Sequence, residues 1–338
     1  MGYTAEWSAL QRGLIDGVIQ RGNQETLSGT IQSSLTAITC GYIKRSRSED
    51  SLNKHLQDTW YTLIQAGKHI ATHEVHQDLV VRELVTIRTL GLLQRSAPTG
   101  ADVDNDFGMN PGDPQGIITF SDGNTFWTGL PLLSMCLTDE FTKRYYEKDY
   151  SKEQRDNMAG FIGRLLAAGF YDGPALCALS LFRETLETPR PLVEDEISKE
   201  DSAEIHLPVE DLLDALTGLC HNSRFGLALL SSSQTSETTA RTIKTNPAEY
   251  LHLSGLGELA LQSGIIADFP PSGYSSQRWS FWVQRLAELT RCGIRSIEHE
   301  AKSCLTGMKW AGDDTELLPK LIREELITWE EDEEHTTQ

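Results

Sequence analysis

The segment that decides the fold runs from residue 151 to residue 187 and reads SKEQRDNMAGFIGRLLAAGFYDGPALCALSLFRETLE. Ser151 followed by Gln154 is a capping-box pattern, in which each side chain accepts a hydrogen bond from the backbone N–H of the other residue at a helix N-terminus. Apolar residues at steps of three and four over 158–166 then give this helix one buried face. Asp172-Gly173-Pro174 begins a second helix, because proline is favoured at the first helical position.

The same spacing of apolar residues continues on both sides of this segment. The clearest examples are Leu52, Leu56, Trp60, Leu63 and Ile64 upstream, and Trp279, Trp282, Val283, Leu286 and Leu289 downstream. No segment has a convincing β-strand pattern, and no pattern recurs at a fixed period. The sequence therefore predicts an all-α fold, an irregular array or bundle of roughly ten helices around one core with long loops.

Three segments interrupt the helical pattern and are predicted to be loops. They lie near 97–124, 189–206 and 231–245, and are rich in turn-forming, acidic and Ser/Thr residues respectively. We expect the helices to be organised as an N-terminal helical extension, a main helical domain and a C-terminal helix with an acidic tail. The predicted boundaries are 1–45, 46–312 and 313–338.

The charge of the chain narrows the classes of partner. The formal net charge is −19 and the isoelectric point is about 4.9, which makes nucleic acid a poor partner, because binding to phosphate relies on Lys and Arg. No apolar run approaches the length of a membrane span, and the N-terminus lacks the pattern of a secretory signal. The six cysteines contain no Cys-x-x-Cys pair, as expected of a reduced, cytoplasmic protein.

Two patterns that are typical of metal or cofactor sites have simpler explanations. His69, His73 and His76 share the spacing of one helix face, but a turn expected at 72–74 would separate them. The stretch Gly255–Ala260 matches the dinucleotide-binding fingerprint, which requires a preceding strand; here we expect it inside a helical stretch. The sequence therefore predicts no metal ligands and no cofactor.

Arginines and tryptophans on the apolar helices are the candidate ligand-binding residues. The full set is Trp127, Arg164, Arg183, Arg278, Trp279 and Trp282. The tryptophans have two interpretations, core packing or the wall of an apolar pocket. The arginines also have two, buried ion pairs between helices, including an Arg183–Glu187 pair, or anchors for a ligand. The nearest candidates for acid–base catalysis are Asp139, Glu140 and Tyr145.

Three stretches together resemble a known family. They are FWTGLPL at 126–132, FIGRL at 161–165 followed by FRETLE at 182–187, and GYSSQRWSFW at 273–282. Their order is similar to that in the fungal domain-of-unknown-function family 3632. The chain departs from the family pattern at Gly129, where Asp is common, and at Gly163, where Ala is common. The resemblance implies a mostly helical fold and a fungal source, and it implies no particular activity.

Members of this family occur in genomic settings of specialised metabolism, which favours a small-molecule role. Our leading hypothesis is a protein that handles a hydrophobic metabolite in an aromatic-lined apolar pocket. It would be a carrier or, with a slight preference, a cofactor-independent enzyme of the cyclase or isomerase type. The alternative is a non-enzymatic interaction or scaffold protein with an acidic surface, which binds a protein partner or another copy of itself.

Overall fold

The computed structural model describes residues 5–44, 49–91, 125–194, 207–232, 252–263 and 272–314. These residues form helices joined by short turns, and none of the described ranges contains a β-strand; an isolated bridge joins Gly255 and Ser272. The predicted all-α multi-helix fold is confirmed. None of the described helices is both long enough and apolar enough to cross a membrane.

The chain divides into two compact units, residues 1–140 and residues 141–338. The helices of the first unit are α1 (Ala5–Gln20), α2 (Gln24–Lys44), α3 (Glu49–His69), α4 (Val75–Thr89) and α5 (Leu133–Glu140). Helix α3 lies at the centre of this unit and contacts the other four helices. Its predicted apolar face is buried, including Leu56, Trp60 and Leu63.

The second unit contains two π-helical turns among its α-helices. Its elements are π1 (Phe141–Tyr145), α6 (Lys152–Ala167), α7 (Pro174–Phe182), π2 (Arg183–Glu187), α8 (Val209–Ser232), α9 (Glu258–Gln262), α10 (Ser276–Leu289) and α11 (Arg295–Asp314). Helix α8 packs against α6, α10 and α11. It therefore positions most of this unit.

The boundary between the units, at residues 140 and 141, differs from the predicted boundaries at 45 and 312. Helices α1 and α2 pack against α3 within the first unit. The predicted three-part division stays a prediction. Most of the predicted loops at 97–124, 189–206 and 231–245 lie outside the described residues, as does the tail after 314.

The local signals in the segment that decides the fold are confirmed. The Ser151 hydroxyl accepts from the Gln154 backbone N–H, and the Gln154 side chain accepts from the Ser151 N–H. Pro174 is the first residue of α7, and Gly173 before it has a φ of 87°, a left-handed conformation that favours glycine. The helical segment continues from α7 through π2 to Glu187, and Thr188, the residue before Pro189, is extended, as is typical of a residue that precedes proline.

Helices α6 and α8 approach each other closely at Gly163. A Cβ atom added at this position would lie 2.8 Å from the carbonyl oxygen of Leu219 and 2.9 Å from the Cβ of Asn222. Both distances are shorter than van der Waals contact. The absence of a side chain at Gly163 therefore sets the distance between the two helices.

Candidate functional site

Glu187 and Arg278 form a buried ion pair in the second unit. Arg278 Nε donates to Glu187 Oε1 at 2.6 Å, and Arg278 Nη2 donates to Glu187 Oε2 at 3.0 Å. The side chains are 0% and 1% exposed. Because taking either charge out of water alone costs several kcal/mol, each group stabilises the other only while the pair is intact.

The polar atoms of this pair have further partners in the surrounding segments. The Glu187 carboxylate also accepts from Trp282 Nε1 at 2.7 Å and from the Gly257 N–H at 2.8 Å. Arg278 also donates to the carbonyls of Ser254, Gly273 and Gly255 at 2.8, 2.9 and 3.0 Å. These bonds use the five N–H donors of a guanidinium and about four acceptor positions of a carboxylate. In this conformation Arg278 therefore has no N–H left for the ligand-binding role predicted for it.

The predicted Arg183–Glu187 pair is wrong. Arg183 Nη1 instead donates to Glu184 at 2.9 Å and to the carbonyl of His252 at 3.0 Å. The prediction assumed α-helical spacing, but the Thr188 N–H bonds to the carbonyl of Arg183, five residues earlier, at 3.0 Å. This wider π-helical turn changes the direction of the side chains that follow it. The ligand-binding role of Arg183 stays a prediction.

The glycine-rich stretch at 255–260 is not helical throughout, contrary to the prediction. Gly255, Leu256 and Gly257 precede the short helix α9. A Cβ atom at Gly257 would lie 2.6 Å from both the Cβ and the carbonyl oxygen of Glu187. The close approach of this backbone to Glu187, rather than a nucleotide, accounts for the glycine at 257.

The predicted aromatic residues are core residues of their own units. Trp127, in the first unit, is fully buried, and its indole N–H donates to Thr39 Oγ1 at 3.0 Å. Trp279 and Trp282, in the second unit, are also fully buried, and Trp282 stacks on Phe182 with a ring-centroid distance of 4.3 Å. Core packing, the first of the two interpretations, describes these contacts. A ligand-binding role for the three tryptophans stays a prediction.

Two of the predicted acid–base residues, Glu140 and Tyr145, have partners typical of structural groups. Glu140 is buried in the first unit and pairs with Lys68 at 3.3 Å. In the second unit, the fully buried Tyr145 donates to the carbonyl of Arg155 at 3.2 Å, and burial raises the pKa of this phenol well above its usual value of 10. Asp139 is half-buried in α5. A catalytic role for these residues stays a prediction.

Two further predicted groups are placed without forming a site. Arg164 is half-buried on α6, and its Nη1 lies 3.5 Å from the carbonyl oxygen of Gly160; its ligand-binding role stays a prediction. His69 ends α3, His73 lies in the following turn, and His76 belongs to α4. The turn predicted to separate these histidines is confirmed.

A groove of about 370 Å³ lies between α8 and α11 in the second unit. On α8, its lining residues are Thr217, Cys220, His221 and Arg224, which share one helix face. The two helices are joined at the groove by a hydrogen bond of 3.3 Å from Thr217 Oγ1 to the carbonyl of Glu300. The volume is within the range of small-molecule sites in proteins.

The groove has a basic lining. Its charged and titratable side chains are Arg224, Lys302, His221 and His299, and no Asp or Glu lines it in the described part of the chain. This composition contrasts with the net charge of −19 for the whole chain. A local cluster of cations on an acidic protein favours the binding of a negatively charged group at that position.

Arg224 and Trp310 form the aromatic side of the groove. The Arg224 guanidinium carbon lies 6.0 Å from the centre of the Trp310 ring and 5.3 Å from that of Phe225, on the same helix. These are cation–π distances. Trp310 is 63% exposed, so a large flat apolar surface is available to solvent at the groove.

Cys220 and Cys304 form the buried part of the groove. Their Sγ atoms are 3.4 Å apart, and both are free thiols. The hydrogen bond with Cys304, together with burial, raises the pKa of Cys220 well above its usual value of 9. The base of the groove is therefore polarisable and uncharged at neutral pH.

The sequence contains a signal for this groove, which is weak in each helix taken separately. On α8, Arg224 lies about one helical turn after Cys220 and His221, along the edge of the apolar face. On α11, Lys302 lies two residues before Cys304. Each helix alone resembles an ordinary amphipathic helix. The site becomes visible only when the two helices are paired.

The comparisons with known proteins agree with the motifs. The family model described as "Protein of unknown function (DUF3632)" matches residues 60–286, which include all three motif stretches. The chain is also similar to "Oxopyrrolidines biosynthesis cluster protein G" of Penicillium oxalicum. The two are 28% identical over 276 residues, which cover 80% of this chain and 69% of that protein. No solved structure matches the chain.

Proposed function

This chain belongs to the DUF3632 family, and on that premise we propose that it handles a small molecule of fungal specialised metabolism, bound in the groove between α8 and α11. The observation that carries the proposal is the composition of this groove. This groove of about 370 Å³ has cationic lining residues and an exposed tryptophan, and its floor contains the uncharged thiol of Cys220. Sites of this kind pair an apolar surface with a few polar groups that orient the ligand.

The metabolic setting of the proposal comes from the similar protein. Its name assigns it to a biosynthesis cluster for oxopyrrolidines. Oxopyrrolidines are small ring compounds with a carbonyl oxygen, which accepts hydrogen bonds from groups such as arginine N–H. We extend only the general setting, specialised metabolism, to this chain.

The proposal has an enzymatic form, a cofactor-independent cyclase or isomerase. Such an enzyme holds its substrate in a reactive conformation and needs an acid or base next to it. In the groove, His221 and His299 have imidazole side chains, the type of group that most often serves as acid or base in enzymes. The carrier form of the proposal needs the same binding residues and no proton transfer.

A second candidate, an interaction protein, is favoured by exposed apolar side chains. Phe225 and Leu229, one turn apart on α8, are 51% and 56% exposed. Exposed apolar residues next to an arginine are typical of protein interfaces. If this candidate is correct, purification from the native cell recovers a protein partner, and removal of the chain leaves the small molecules of that cell unchanged.

Deletion of the gene in its native organism, followed by metabolite profiling, tests the proposal. We expect at least one metabolite to disappear or to be replaced by a precursor. Reintroducing the chain with Arg82→Gln, which changes an exposed arginine of the first unit, should restore the profile as well as the unchanged chain does. Reintroducing the chain with Arg224→Gln should not restore the metabolite profile. A profile unaffected by deletion would contradict the proposal.

A further inference from the structure

We infer that the α8–α11 groove binds an organic anion, with its charged oxygen atoms at Arg224 and its flat, apolar part against Trp310. The inference rests on the proposed function and deepens it, because it names the chemical class of the ligand. Four features of the groove support it: its charge, an unpaired donor, the aromatic rings near the guanidinium and the neutral thiol at its floor.

The first feature is the charge of the groove. Arg224 and Lys302 are its permanently charged lining residues, and within the described part of the chain no carboxylate lines it. The nearby carboxylate of Glu300 lies 3.9 Å from His299. An anion in this groove would therefore meet the cationic side chain of Arg224 next to Lys302, on a chain whose formal net charge is −19.

The second feature is a buried donor without a partner. Arg224 Nε is buried and has no hydrogen-bond acceptor among the described residues. The Nε atoms of Arg155, Arg183 and Arg285 are also unpaired, but each of those guanidinium groups forms an ion pair with a carboxylate. Arg224 has no such carboxylate in the described ranges. A negatively charged ligand would supply the missing counter-charge to this guanidinium.

The third feature is the pair of aromatic rings near the Arg224 guanidinium. Its central carbon lies 5.3 Å from the centre of the Phe225 ring and 6.0 Å from that of the Trp310 ring, which are cation–π distances. A guanidinium group also has parallel N–H donors that match a carboxylate or a similar oxyanion. Trp310 would at the same time provide a stacking surface for the rest of the ligand.

The fourth feature is the absence of negative charge at the base of the groove. Because the contact with Cys304 and burial both raise the pKa of Cys220, the thiol stays protonated at neutral pH. A thiolate at this position would repel an anion. The neutral Cys220 thiol instead offers a soft apolar surface to the body of the ligand.

Two dyes with the same ring system test the inference. One is 1-anilinonaphthalene-8-sulfonate, an anion, and the other is N-phenyl-1-naphthylamine, which lacks the sulfonate and is uncharged. We expect the anion to bind the full chain at one site. Arg224→Gln should weaken its affinity about ten-fold, whereas Trp310→Ala should weaken the binding of both dyes.

The matched control is Arg82→Gln, which removes the same charge from an exposed residue of the first unit and should leave dye binding unchanged. Circular dichroism would verify that each variant is folded. The inference is overturned if the neutral dye binds as tightly as the anion, or if Arg224→Gln and Arg82→Gln have equal effects. Such a result leaves the metabolic role untouched, since gene deletion tests that role separately.

Discussion

Glu187 Oε1 lies 2.6 Å from Arg278 Nε, although 91 residues separate the two in sequence. The pair joins the π-helical turn after α7 to the first turn of α10, and it also holds the backbone of residues 254–257. Glu187, Arg278 and Trp282, which belong to two of the three stretches that resemble the family, are members of this one network. These two stretches therefore contribute to the structural core of the second unit, whereas the proposed ligand site of this unit lies elsewhere, between α8 and α11.

Removing one member of this pair should strongly destabilise the second unit. We expect Arg278→Ala to lower the free energy of unfolding by about 3–5 kcal/mol, because Glu187 would remain buried without its counter-charge. Urea denaturation followed by circular dichroism measures the change. The control is Arg285→Ala on the same helix, whose partner Glu288 is 63% exposed, and it should cost less than about 1 kcal/mol. Equal losses for both variants would contradict a structural role of the pair.

A methyl group at Gly163 should force α6 and α8 apart. We expect Gly163→Ala to destabilise the protein by about 1–3 kcal/mol, since the neighbouring atom is a backbone oxygen that cannot rotate away. Gly218→Ala on α8 is the control, because its Cβ would meet only the carbonyl of Asp156, at 3.9 Å. This control should be neutral or stabilising by up to about 1 kcal/mol. Thermal unfolding measures the stability of both variants. If Gly163→Ala made the protein more stable, α6 and α8 could separate without an energetic cost, which would contradict this prediction.

Ionisation of Asp156 should lower the stability of the second unit as the pH rises from about 4 to about 7. Burial, followed by repulsion from Asp214, raises the pKa of Asp156 from 3.8 to about 7. The folded state thus keeps a proton that the unfolded state releases at a lower pH, so ionisation favours unfolding in this window. Asp156→Asn, which cannot ionise, should be more stable than the parent by about 1–3 kcal/mol at pH 8.

Thermal unfolding at pH 4 and pH 8 measures this difference. The gain from Asp156→Asn should shrink towards pH 4, where the parent carboxyl is protonated as well. Asp149→Asn, at an exposed position, is the control and should change stability by less than about 0.5 kcal/mol at either pH. A gain that is equal at the two pH values would show that ionisation of Asp156 is not its cause.

Tyr145 should prove to be a structural residue. Its phenol is fully buried and donates to a backbone carbonyl, so Tyr145→Phe should cost about 1 kcal/mol of stability through the lost hydrogen bond. We expect the gene carrying this change to restore the metabolite profile of a deletion strain. Failure to restore it, with a stable folded protein, would instead support the acid–base role predicted from the sequence.

Much of the fold could be predicted because local signals determine it. The apolar face of α3 and the capping box at Ser151 depend only on residues close in sequence, and both are present as expected. The partner of Glu187 could not be predicted, since a π-helical turn replaced the α-helical spacing on which the expected pair with Arg183 depended. Because of this single π-helical turn, Glu187 pairs with Arg278, 91 residues away in sequence, and not with a residue one turn earlier.

The candidate site was harder to predict than the fold for a different reason. Arg224 and Trp310 lie on different helices, 86 positions apart in the numbering (310 − 224), and neither belongs to a recognised motif. The tryptophans and arginines that stood out in the sequence, such as Trp282 and Arg278, are conspicuous because they lie in apolar helical faces, which is where the core forms. The groove residues are polar positions beside such faces. In the sequence of a single helix, they cannot be distinguished from ordinary surface residues.

The most direct test of the proposed ligand site is whether the native protein retains a small molecule through Arg224. Tagged chains, unchanged or carrying Arg224→Gln or Arg82→Gln, would be purified from the native organism, and the compounds released on denaturation identified by mass spectrometry. We predict a negatively charged compound with the unchanged and Arg82→Gln chains and its loss from the Arg224→Gln chain. Recovery of no compound, or equal recovery from all three chains, would contradict the proposed site.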